Sequence, residues 1–442
     1  MSLHDPNSQH TSSNDLRDNE TRQQNDSLHG DSIDSRAKKI SLQEQMQIRR
    51  SALTQTGHHA STSEEIRYNE DASSTDPIYY EESPFQSSKK PESIWRRRWR
   101  RFRSIKRGYY SFLVLAVLYL VSFMLPLIMN NRALMVTYNG ETYFPAVADL
   151  FDFLPGISSF YSAEQFGQTG ELGEVKFRSL AKQYEEEGEG NSVTMPFYPW
   201  DPYETDFELT HPDPPSGKHL LGTDDSGRDV LVRLAYGFTV SISFALLLAV
   251  IYYIIGTALG AIMGYFGSKI DLIGQRVVEI WETIPFLYTV IIISSILKPS
   301  FMLLVGVLAI FQWIGISYFI RGEFLREKTK DYAAAAISLG ASTPSIIFRH
   351  LLPNSLTPII TFFPFALVGG ISVLVSLDFL GFGLQPPTPS WGQMIDRGLQ
   401  NLEAIWLVIA PITALFFTLM LVTFIGEGVR EALDPKVFSR LR

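Results

Sequence analysis

The sequence has no cysteine among its 442 residues. This absence excludes disulfides, thiol nucleophiles and cysteine-ligated metal centres. The sequence also lacks the Gly-x-x-x-x-Gly-Lys-Ser/Thr loop with which many proteins cradle ATP phosphates, and it has neither a Ser/His/Asp signature nor a zinc-binding helix signature. Chemical energy for any work that the protein performs must therefore come from another subunit.

Charged residues are scarce in six long apolar runs, which lie near residues 109–129, 241–265, 277–297, 302–320, 355–377 and 405–425. Runs of about 20 apolar residues match the length that a helix needs to cross a hydrocarbon layer of about 30 Å. The sequence therefore predicts an all-α integral membrane protein with about six transmembrane helices.

The polar residues are concentrated in other parts of the chain. Residues 1–95 are rich in Ser, Asp, Asn, Gln, Glu and Arg, which predicts a disordered tail, either simply solvated or used for docking. No cleavable signal peptide is evident, because the first apolar run begins at Tyr109, so we expect an uncleaved anchor. The segment 96–129 combines a basic flank with the first transmembrane helix.

The basic residues indicate the topology. The run from Arg96 to Arg107 interleaves arginines with aromatic residues, a pattern that can also bind nucleic acid. Here it adjoins an apolar run, so a positive flank on the cytoplasmic side, in contact with membrane lipid, is the better interpretation, and no nucleic-acid partner is expected. Linkers 267–276 and 321–349 and the C-terminal segment 431–442 are also basic, which predicts cytoplasmic N- and C-termini.

Residues 130–236 then lie outside the cytoplasm as a small, loop-rich insertion that ends in an interfacial helix, and residues 237–430 form a membrane core with five transmembrane helices. Within the insertion, Asp224, Asp225 or Ser226 is predicted to cap a helix with an apolar face that lies along the membrane. A sharper alternative is a metal site formed by His219 and the three nearby aspartates, but adjacent acids beside an arginine more often cap and pair.

A cytoplasmic segment, 331–353, carries the most informative pattern. Four consecutive alanines favour a helix, and Gly340 can adopt the positive φ that ends it. Thr343 is a plausible cap for a second short helix with Pro344 at its first position, and Pro353 interrupts the chain before the next transmembrane helix. The alternative is an ordinary alanine-rich linker.

The spacing favours the first interpretation. Ala335-Ala336, Gly340 and Leu352-Pro353 resemble the EAA coupling motif of ATP-binding-cassette (ABC) importer permeases, although Ala334 stands where the motif has Glu and His350 where it usually has Ile. The resemblance implies that this loop docks into an ATPase subunit. It assigns the coupling role to Ala333, Ala334, Ala335, Ala336, Gly340, His350, Leu352 and Pro353.

Two further segments resemble the C-type permeases of oligopeptide and dipeptide importers. The first implies a structural role at the outer surface for His219, Gly222, Thr223, Asp224, Gly227, Arg228 and Asp229. The second is a Gly- and Pro-rich stretch, which is either a lid over the translocation path, a contact for a binding protein, or a structural lid. Its residues are Asp378, Gly381, Gly383, Pro386, Pro387 and Trp391.

The resemblance extends from about residue 219 to 435. Segments 136–145, 377–383 and 424–435 are most similar to Yej-type (microcin C) permeases. Membership implies a multi-pass inner-membrane protein with no cofactor of its own. It also implies ATP and Mg²⁺ held by a partner ATPase, a second homologous permease subunit, an extracytoplasmic substrate-binding protein, and import of peptides.

Alternative functions stay open at this point. An ion-coupled secondary transporter is disfavoured, because Glu279, Glu282, Asp378 and Glu427 all lie close to the ends of their apolar runs. A membrane-anchored sensor or scaffold fits poorly with six transmembrane helices and little soluble structure. An importer of a non-peptide solute, such as a nickel complex, would have the same sequence pattern.

Overall fold

A computed structural model describes residues 94–151, 160–168, 173–188, 190–208 and 211–434. The predicted disordered tail therefore lies outside the described residues except for its last two positions. The predicted cytoplasmic C-terminus is described only as far as Asp434.

The described chain begins with two helices set almost at a right angle. Helix α1 (Ile94–Ser104) and helix α2 (Lys106–Ser122) meet at Ile105 with a bend of 97°. A short turn of helix, α3 (Leu125–Ile128), ends the first apolar run. Since α2 contains the apolar residues of that run, α1 lies roughly perpendicular to the predicted first transmembrane helix.

The insertion has more regular structure than the predicted loops. Three antiparallel strands, β1 (Met135–Tyr138), β2 (Glu141–Tyr143) and β3 (Ser192–Thr194), form a sheet in the order β2-β1-β3. Two further helices are α4 (Pro145–Leu150) and α5 (Phe177–Glu187), with a 3₁₀ turn at Ala163–Phe166.

Aromatic residues give the loop-rich insertion its own small core. The buried members of this core are Ala133, Val136, Phe166, Val175, Phe177, Leu180 and Tyr184. The side chains come from segments that extend from Ala133 to Tyr184, so local periodicity does not reveal this core.

Helix α6 (Val230–Phe266) has 37 residues without a break. The prediction of a separate interfacial helix before the second transmembrane helix is therefore wrong. Asp229, not Asp224, Asp225 or Ser226, caps α6, and its side chain accepts a hydrogen bond from the Val232 backbone N–H. At 1.5 Å per residue α6 is about 55 Å long, so it extends well beyond a hydrocarbon layer of about 30 Å.

The third predicted transmembrane helix is not straight. Helices α7 (Ser268–Glu282) and α8 (Phe286–Ile296) are bent by 67° at a three-residue break that ends in Pro285. Proline favours extended backbone at the residue before it, so the helix cannot continue unbroken through this position. The apolar run 277–297 spans both pieces and conceals the break.

The remaining long helices match the predicted runs. They are α9 (Phe301–Lys328), α12 (Thr357–Phe379) and α14 (Trp406–Leu433). By length and composition, four of the described helices could cross a membrane, and the count rises to six when each of the two bent pairs is taken as one span. Helix α13 (Trp391–Gln400) lies between α12 and α14.

Close approach of α6 and α9 forms the centre of the membrane core. A Cβ atom added to Gly256 would lie 2.4 Å from the Trp313 carbonyl oxygen, and one added to Gly260 would lie 2.4 Å from the Ser317 carbonyl oxygen. Small residues allow apolar helices to pack backbone against backbone where hydrophobic burial alone gives little driving force.

Candidate functional site

The segment with the EAA-like spacing folds as a compact element at the ends of α6 and α9. It comprises helix α10 (Asp331–Ser338), a turn at Gly340, helix α11 (Thr343–Ser345), a π-helix (Ile346–Leu351) and a 3₁₀ turn (Leu352–Asn354). We refer to residues 331–354 as the coupling element.

The four alanines of α10 divide between two faces. Ala333 and Ala336 are buried, whereas Ala334 and Ala335 are exposed. Ala333 belongs to the main core cluster together with Phe324 and Leu351. The position where the motif has Glu therefore lies on the outward face, and the alanine there leaves packing within the chain intact.

Large apolar side chains are exposed at the tip of the coupling element. Leu339 is 87% exposed, Phe348 is 68% exposed and Ile337 is 49% exposed. Exposed apolar side chains at one end of an element that faces water typically mark a contact surface for another protein.

Gly340 makes the turn between α10 and α11. Its φ of +79° is in the left-handed region, and no atom of this chain lies within 4 Å of an added Cβ. Within the chain, then, Gly340 is required for its backbone conformation and not for lack of space.

The second half of the coupling element differs in detail from the prediction. Ser342, not Thr343, is the N-cap of α11, so the helix begins one residue earlier and Pro344 occupies its second position. Proline fits either position, because backbone N–H groups in the first turn have no intrahelical acceptor. The π-helix places His350 partly buried, and Pro353 is exposed before α12 begins at Thr357.

A buried carboxylate fastens the coupling element to α9. Glu327 is 2% exposed. Its two oxygens accept hydrogen bonds from Lys330 Nζ at 2.7 Å and from Tyr332 Oη at 2.8 Å. Burial, followed by the hydrogen bond to Glu327, raises the pKa of Tyr332. The start of α10 is thereby held to the end of a long helix by two charge-assisted contacts.

Further polar contacts join the same ends of α6, α7 and α9. Arg321 Nη2 donates to Asp271 Oδ2 at 2.7 Å, as one half of a bidentate pair between α9 and α7. Lys328 donates to the Tyr265 carbonyl oxygen near the end of α6 and lies over the Tyr265 ring. The pairing of Arg321 with Asp271 was not predicted, because the two residues are 50 positions apart in sequence. The partners of Glu327 are only three and five residues away, so the acidic residue beside a lysine and a tyrosine was a local signal that was missed.

At the other end of α6, the outer signature forms a tight turn. The Asp224 carboxylate accepts hydrogen bonds from the backbone N–H groups of Ser226 at 2.9 Å and Arg228 at 3.0 Å, and from Arg228 Nε at 2.9 Å. The adjacent Gly222 has a φ of +77°, and Trp406 Nε1 donates to the Thr223 carbonyl oxygen. The signature residues therefore determine the backbone conformation of this turn and join the turn to α14.

His219 is fully buried beside this turn. Its Nδ1 lies 2.8 Å from Asp229 Oδ2, and its Nε2 lies 3.1 Å from Asp206 Oδ2. Both ring nitrogens are thus engaged by carboxylates, which leaves no free lone pair for a metal ion. Across the described residues, no group of three or more His, Cys, Asp or Glu side chains is arranged to hold a metal.

The Gly- and Pro-rich stretch after α12 is held from within. Asp378 is buried, and its carboxylate accepts hydrogen bonds from the Leu384 backbone N–H at 2.6 Å and from Ser390 Oγ at 2.5 Å. A Cβ atom on Gly383 would lie 1.8 Å from Asp378 Oδ1, so only glycine fits there. Gly381, Pro386 and Pro387 are exposed at the surface of this loop.

Arg233 and Trp391 join the two outer motifs. Arg233 is 1% exposed and its Nη1 donates to the carbonyl oxygens of Pro202 at 3.0 Å and Pro387 at 3.1 Å. The Trp391 indole N–H donates to the Leu234 carbonyl oxygen at 2.9 Å. We refer to the contacts of Asp224, Arg233, Asp378, Trp391 and Trp406 as the outer clamp.

Sequence reasoning missed Arg233, although a signal was present. A single arginine at the start of a long apolar run is expensive to bury unless it has partners, so its presence predicts a polar contact with another segment. The structure brings the signature and the loop together, and it separates both from the coupling element by the length of α6.

Residues 256–439 match the family described as "Binding-protein-dependent transport system inner membrane component". The chain is 37% identical over 377 residues to a peptidoglycan transport system permease protein, YejE, of Agrobacterium fabrum, with 78% of this chain and 96% of the relative covered.

Two further relatives are similar over most of their length. An inner membrane ABC transporter permease protein, YejE, of Escherichia coli is 39% identical over 341 residues, which cover 76% of this chain and 96% of the relative. An oligopeptide transport system permease protein, OppC, of Haemophilus influenzae is 37% identical over 242 residues, which cover 54% of this chain and 78% of the relative.

Proposed function

The chain belongs to the family of inner-membrane permease components of binding-protein-dependent ABC transport systems, and we propose that it serves in an importer of peptides or peptide-like solutes. The relatives named for peptidoglycan and oligopeptide transport support this substrate class. The observation that carries the proposal is the coupling element, whose apolar tip at Leu339 and Phe348 is exposed.

The coupling element is proposed to dock into a separate ATPase subunit. That subunit binds ATP and Mg²⁺ and hydrolyses the nucleotide, whereas this chain holds no cofactor and catalyses no reaction. When the ATPase closes, Glu327 passes the displacement of α10 to α9, and Lys328 and Arg321 pass it to α6 and α7. Rigid connections of this kind let the two ATPase states make different contacts with the membrane helices.

A second permease subunit is proposed to cover the exposed side of α7 and α8. In these two helices, which are described throughout, only Val278 and Val290 are buried. Their apolar exposed residues include Ile273, Ile280 and Ile292. An apolar surface of that kind suits a position that faces lipid or another subunit. Because a translocation path needs a second wall, a second permease is proposed to supply it.

The insertion and the outer clamp are proposed to face an extracytoplasmic substrate-binding protein, with both termini in the cytoplasm. In this arrangement the family-signature residues His219, Gly222, Thr223, Asp224, Gly227, Arg228 and Asp229 shape the outer surface. Asp378, Gly381, Gly383, Pro386, Pro387 and Trp391 form a structural lid rather than a mobile one, because Asp378 and Trp391 are buried and hydrogen-bonded.

Reconstitution into proteoliposomes tests the proposal. The chain, purified with the second permease and the ATPase, is supplied with binding protein and a radiolabelled oligopeptide. We expect uptake that requires ATP and the binding protein. Uptake at an equal rate without nucleotide, driven by a proton or sodium gradient, would instead show an ion-coupled transporter. Transport of a nickel complex but of no peptide would contradict the substrate class alone.

A further inference from the structure

Helix α1 carries a strongly basic surface next to the membrane core. It contains six arginines and no acidic residue, and Lys106 and Arg107 follow it directly. Because α1 is set at 97° to α2, it lies along the membrane surface when α2 crosses the bilayer. Arginines on such a helix lie at the depth of the lipid headgroups.

Two cavities open on either side of Trp99, which is 49% exposed. The first is basic, has a volume of about 460 Å³, and is lined by Arg96, Trp99, Arg100, Arg103 and Ser104. The second has a volume of about 230 Å³ and is lined mainly by apolar side chains of α1, α2, α12 and α14. Its lining residues are Arg98, Trp99, Phe102, Phe112, Ile360, Ile425, Val429, Ala432 and Leu433.

Packing of α1 and α2 against α14 holds these two cavities in place. Phe102 is buried and belongs to a small core cluster with Ile425 and Ala432. Gly108 of α2 and Gly428 of α14 touch backbone to backbone, since a Cβ on Gly108 would lie 2.9 Å from the Gly428 Cα. The basic cavity and the apolar cavity therefore keep a fixed relation to each other.

Charge in this region stays positive when the acidic neighbours are counted. Near the end of α14, Glu427 and Glu431 are exposed and Arg430 lies between them in sequence. Arg101 donates to the Asp434 backbone carbonyl oxygen, and Arg103 lies over the Tyr109 ring.

We propose that the two cavities around Trp99, here named the Trp99 cleft, form a binding site for one anionic phospholipid. The phosphodiester headgroup binds Arg96, Arg100 and Arg103, which recur at helical spacing on one side of α1, and an acyl chain occupies the apolar cavity beside Phe102 and Phe112. An amphiphile fills both halves, whereas free phosphate would use the basic half alone. The inference does not depend on which solute is transported.

The test compares lipid retention by the complete transporter complex. The complex is exchanged into nanodiscs that hold equal amounts of phosphatidylglycerol and phosphatidylcholine with identical acyl chains, and bound lipid is counted by native mass spectrometry after mild detergent extraction. We expect wild type to retain phosphatidylglycerol preferentially. Each arginine lost from the basic cavity should lower that preference roughly fivefold, so R96Q/R100Q/R103Q should abolish it.

A charge-matched variant separates a site from general surface attraction. R97Q/K106Q/R107Q also removes three positive charges from exposed positions of the same segment, but none of these residues lines either cavity. It should keep most of the preference. An equal loss of phosphatidylglycerol preference in both triple variants would indicate diffuse electrostatic attraction and overturn the proposal. A wild-type complex with no preference for phosphatidylglycerol would overturn it as well.

Two further arms identify the occupant. Inorganic phosphate in excess should not displace the lipid, and displacement would indicate a plain phosphate site and overturn the proposal. Val429→Trp, which fills the apolar cavity, should lower retention while the arginines remain. A photocrosslinker at position 112 should capture lipid, whereas capture of residues 1–93 or of another subunit would overturn the proposal. This arm does not depend on whether the triple variants fold.

Discussion

At the scale of single residues, Gly340 shows how the structure changes the reason for a prediction. A glycine at such a turn can be required for its small size or for its freedom in φ. The φ of +79° supports the second requirement, but the space around its Cβ position is open within the chain. Any limit on side-chain size must therefore come from the ATPase that is proposed to dock here.

Substitutions at Gly340 separate these two requirements. Asn and Asp tolerate positive φ, so Gly340→Asn and Gly340→Asp should insert and fold nearly as wild type does, whereas Gly340→Ala should lose about 1 kcal/mol of stability. If the ATPase approaches closely, both larger variants should lower peptide uptake at least tenfold. Uptake in proteoliposomes and thermal unfolding would be measured in parallel. Full uptake by Gly340→Asn would remove the turn from the docking surface.

Arg233 is the residue whose loss should most affect the outer clamp. Arg233→Met keeps the packing of the aliphatic stem but leaves the carbonyl oxygens of Pro202 and Pro387 without a donor, each at a cost of about 1–3 kcal/mol. We expect a fall of several degrees in the melting temperature.

Arg276→Met is the matched control for that variant, because the Arg276–Glu279 pair is exposed and such pairs contribute roughly 0–1 kcal/mol. Equal melting temperatures for the two variants would show that the clamp adds no stability.

Asp206 gives the insertion a defined acid response. Burial raises the pKa of Asp206, but hydrogen bonds from Lys218, the Glu208 backbone and His219 outweigh burial and lower the pKa to about 2. An unfolded Asp has a pKa of about 3.9, so the stabilisation is complete above about pH 4 and is lost as the pH falls toward 2. The difference in melting temperature between wild type and Asp206→Asn should therefore be constant from neutral pH to about 4 and shrink below it. A difference that stays constant to pH 3 would contradict this assignment.

At the scale of elements, the proposed function makes the connection between α9 and α10 the route by which docking moves the membrane helices. Glu327→Gln keeps the side-chain size but weakens the contacts to Lys330 and Tyr332, which are worth about 1.5–3 kcal/mol each when one partner is charged. We expect peptide transported per ATP hydrolysed to fall roughly threefold or more while hydrolysis continues.

Glu323→Gln serves as the control for the coupling prediction. Glu323 lies on the same helix and pairs with Arg326, which is 64% exposed, so its loss should leave transport per ATP close to wild type. If Glu327→Gln behaved like this control, displacement would have to reach α9 by another route.

The elements also show where sequence reasoning works and where it stops. The apolar runs located α9, α12 and α14, because length and hydropathy are local properties. The run 277–297 hid the break at Pro285, and the run that begins near residue 241 suggested a separate interfacial helix before it, because continuity depends on caps and on packing by distant residues. For the candidate site, the spacing predicted the segment that folds as the coupling element, whereas the role of Arg233 emerged only from its contact with Pro387, 154 residues away. The contacts of Glu327 are local in sequence, but its burial depends on the fold.

At the scale of the whole molecule, the absence of cysteine makes the topology easy to test. Single substitutions Ser192→Cys in the insertion and Ser338→Cys in the coupling element place a thiol at exposed positions on a background without others. In intact spheroplasts a membrane-impermeant maleimide should label Ser192→Cys only, and Ser338→Cys should react after permeabilisation. Labelling in the opposite order would reverse the orientation.

The outer clamp has a mechanical consequence for how solute enters. Arg233, Trp391 and Trp406 bind the start of α6 and the turn before it to the loop at Pro387, to α13 and to α14, so we expect these segments to move as a single block. An opening for solute on that side cannot form by separation of these segments from one another. Under the proposed function, the opening therefore has to form between this rigid block and the second permease, which is proposed to cover α7 and α8.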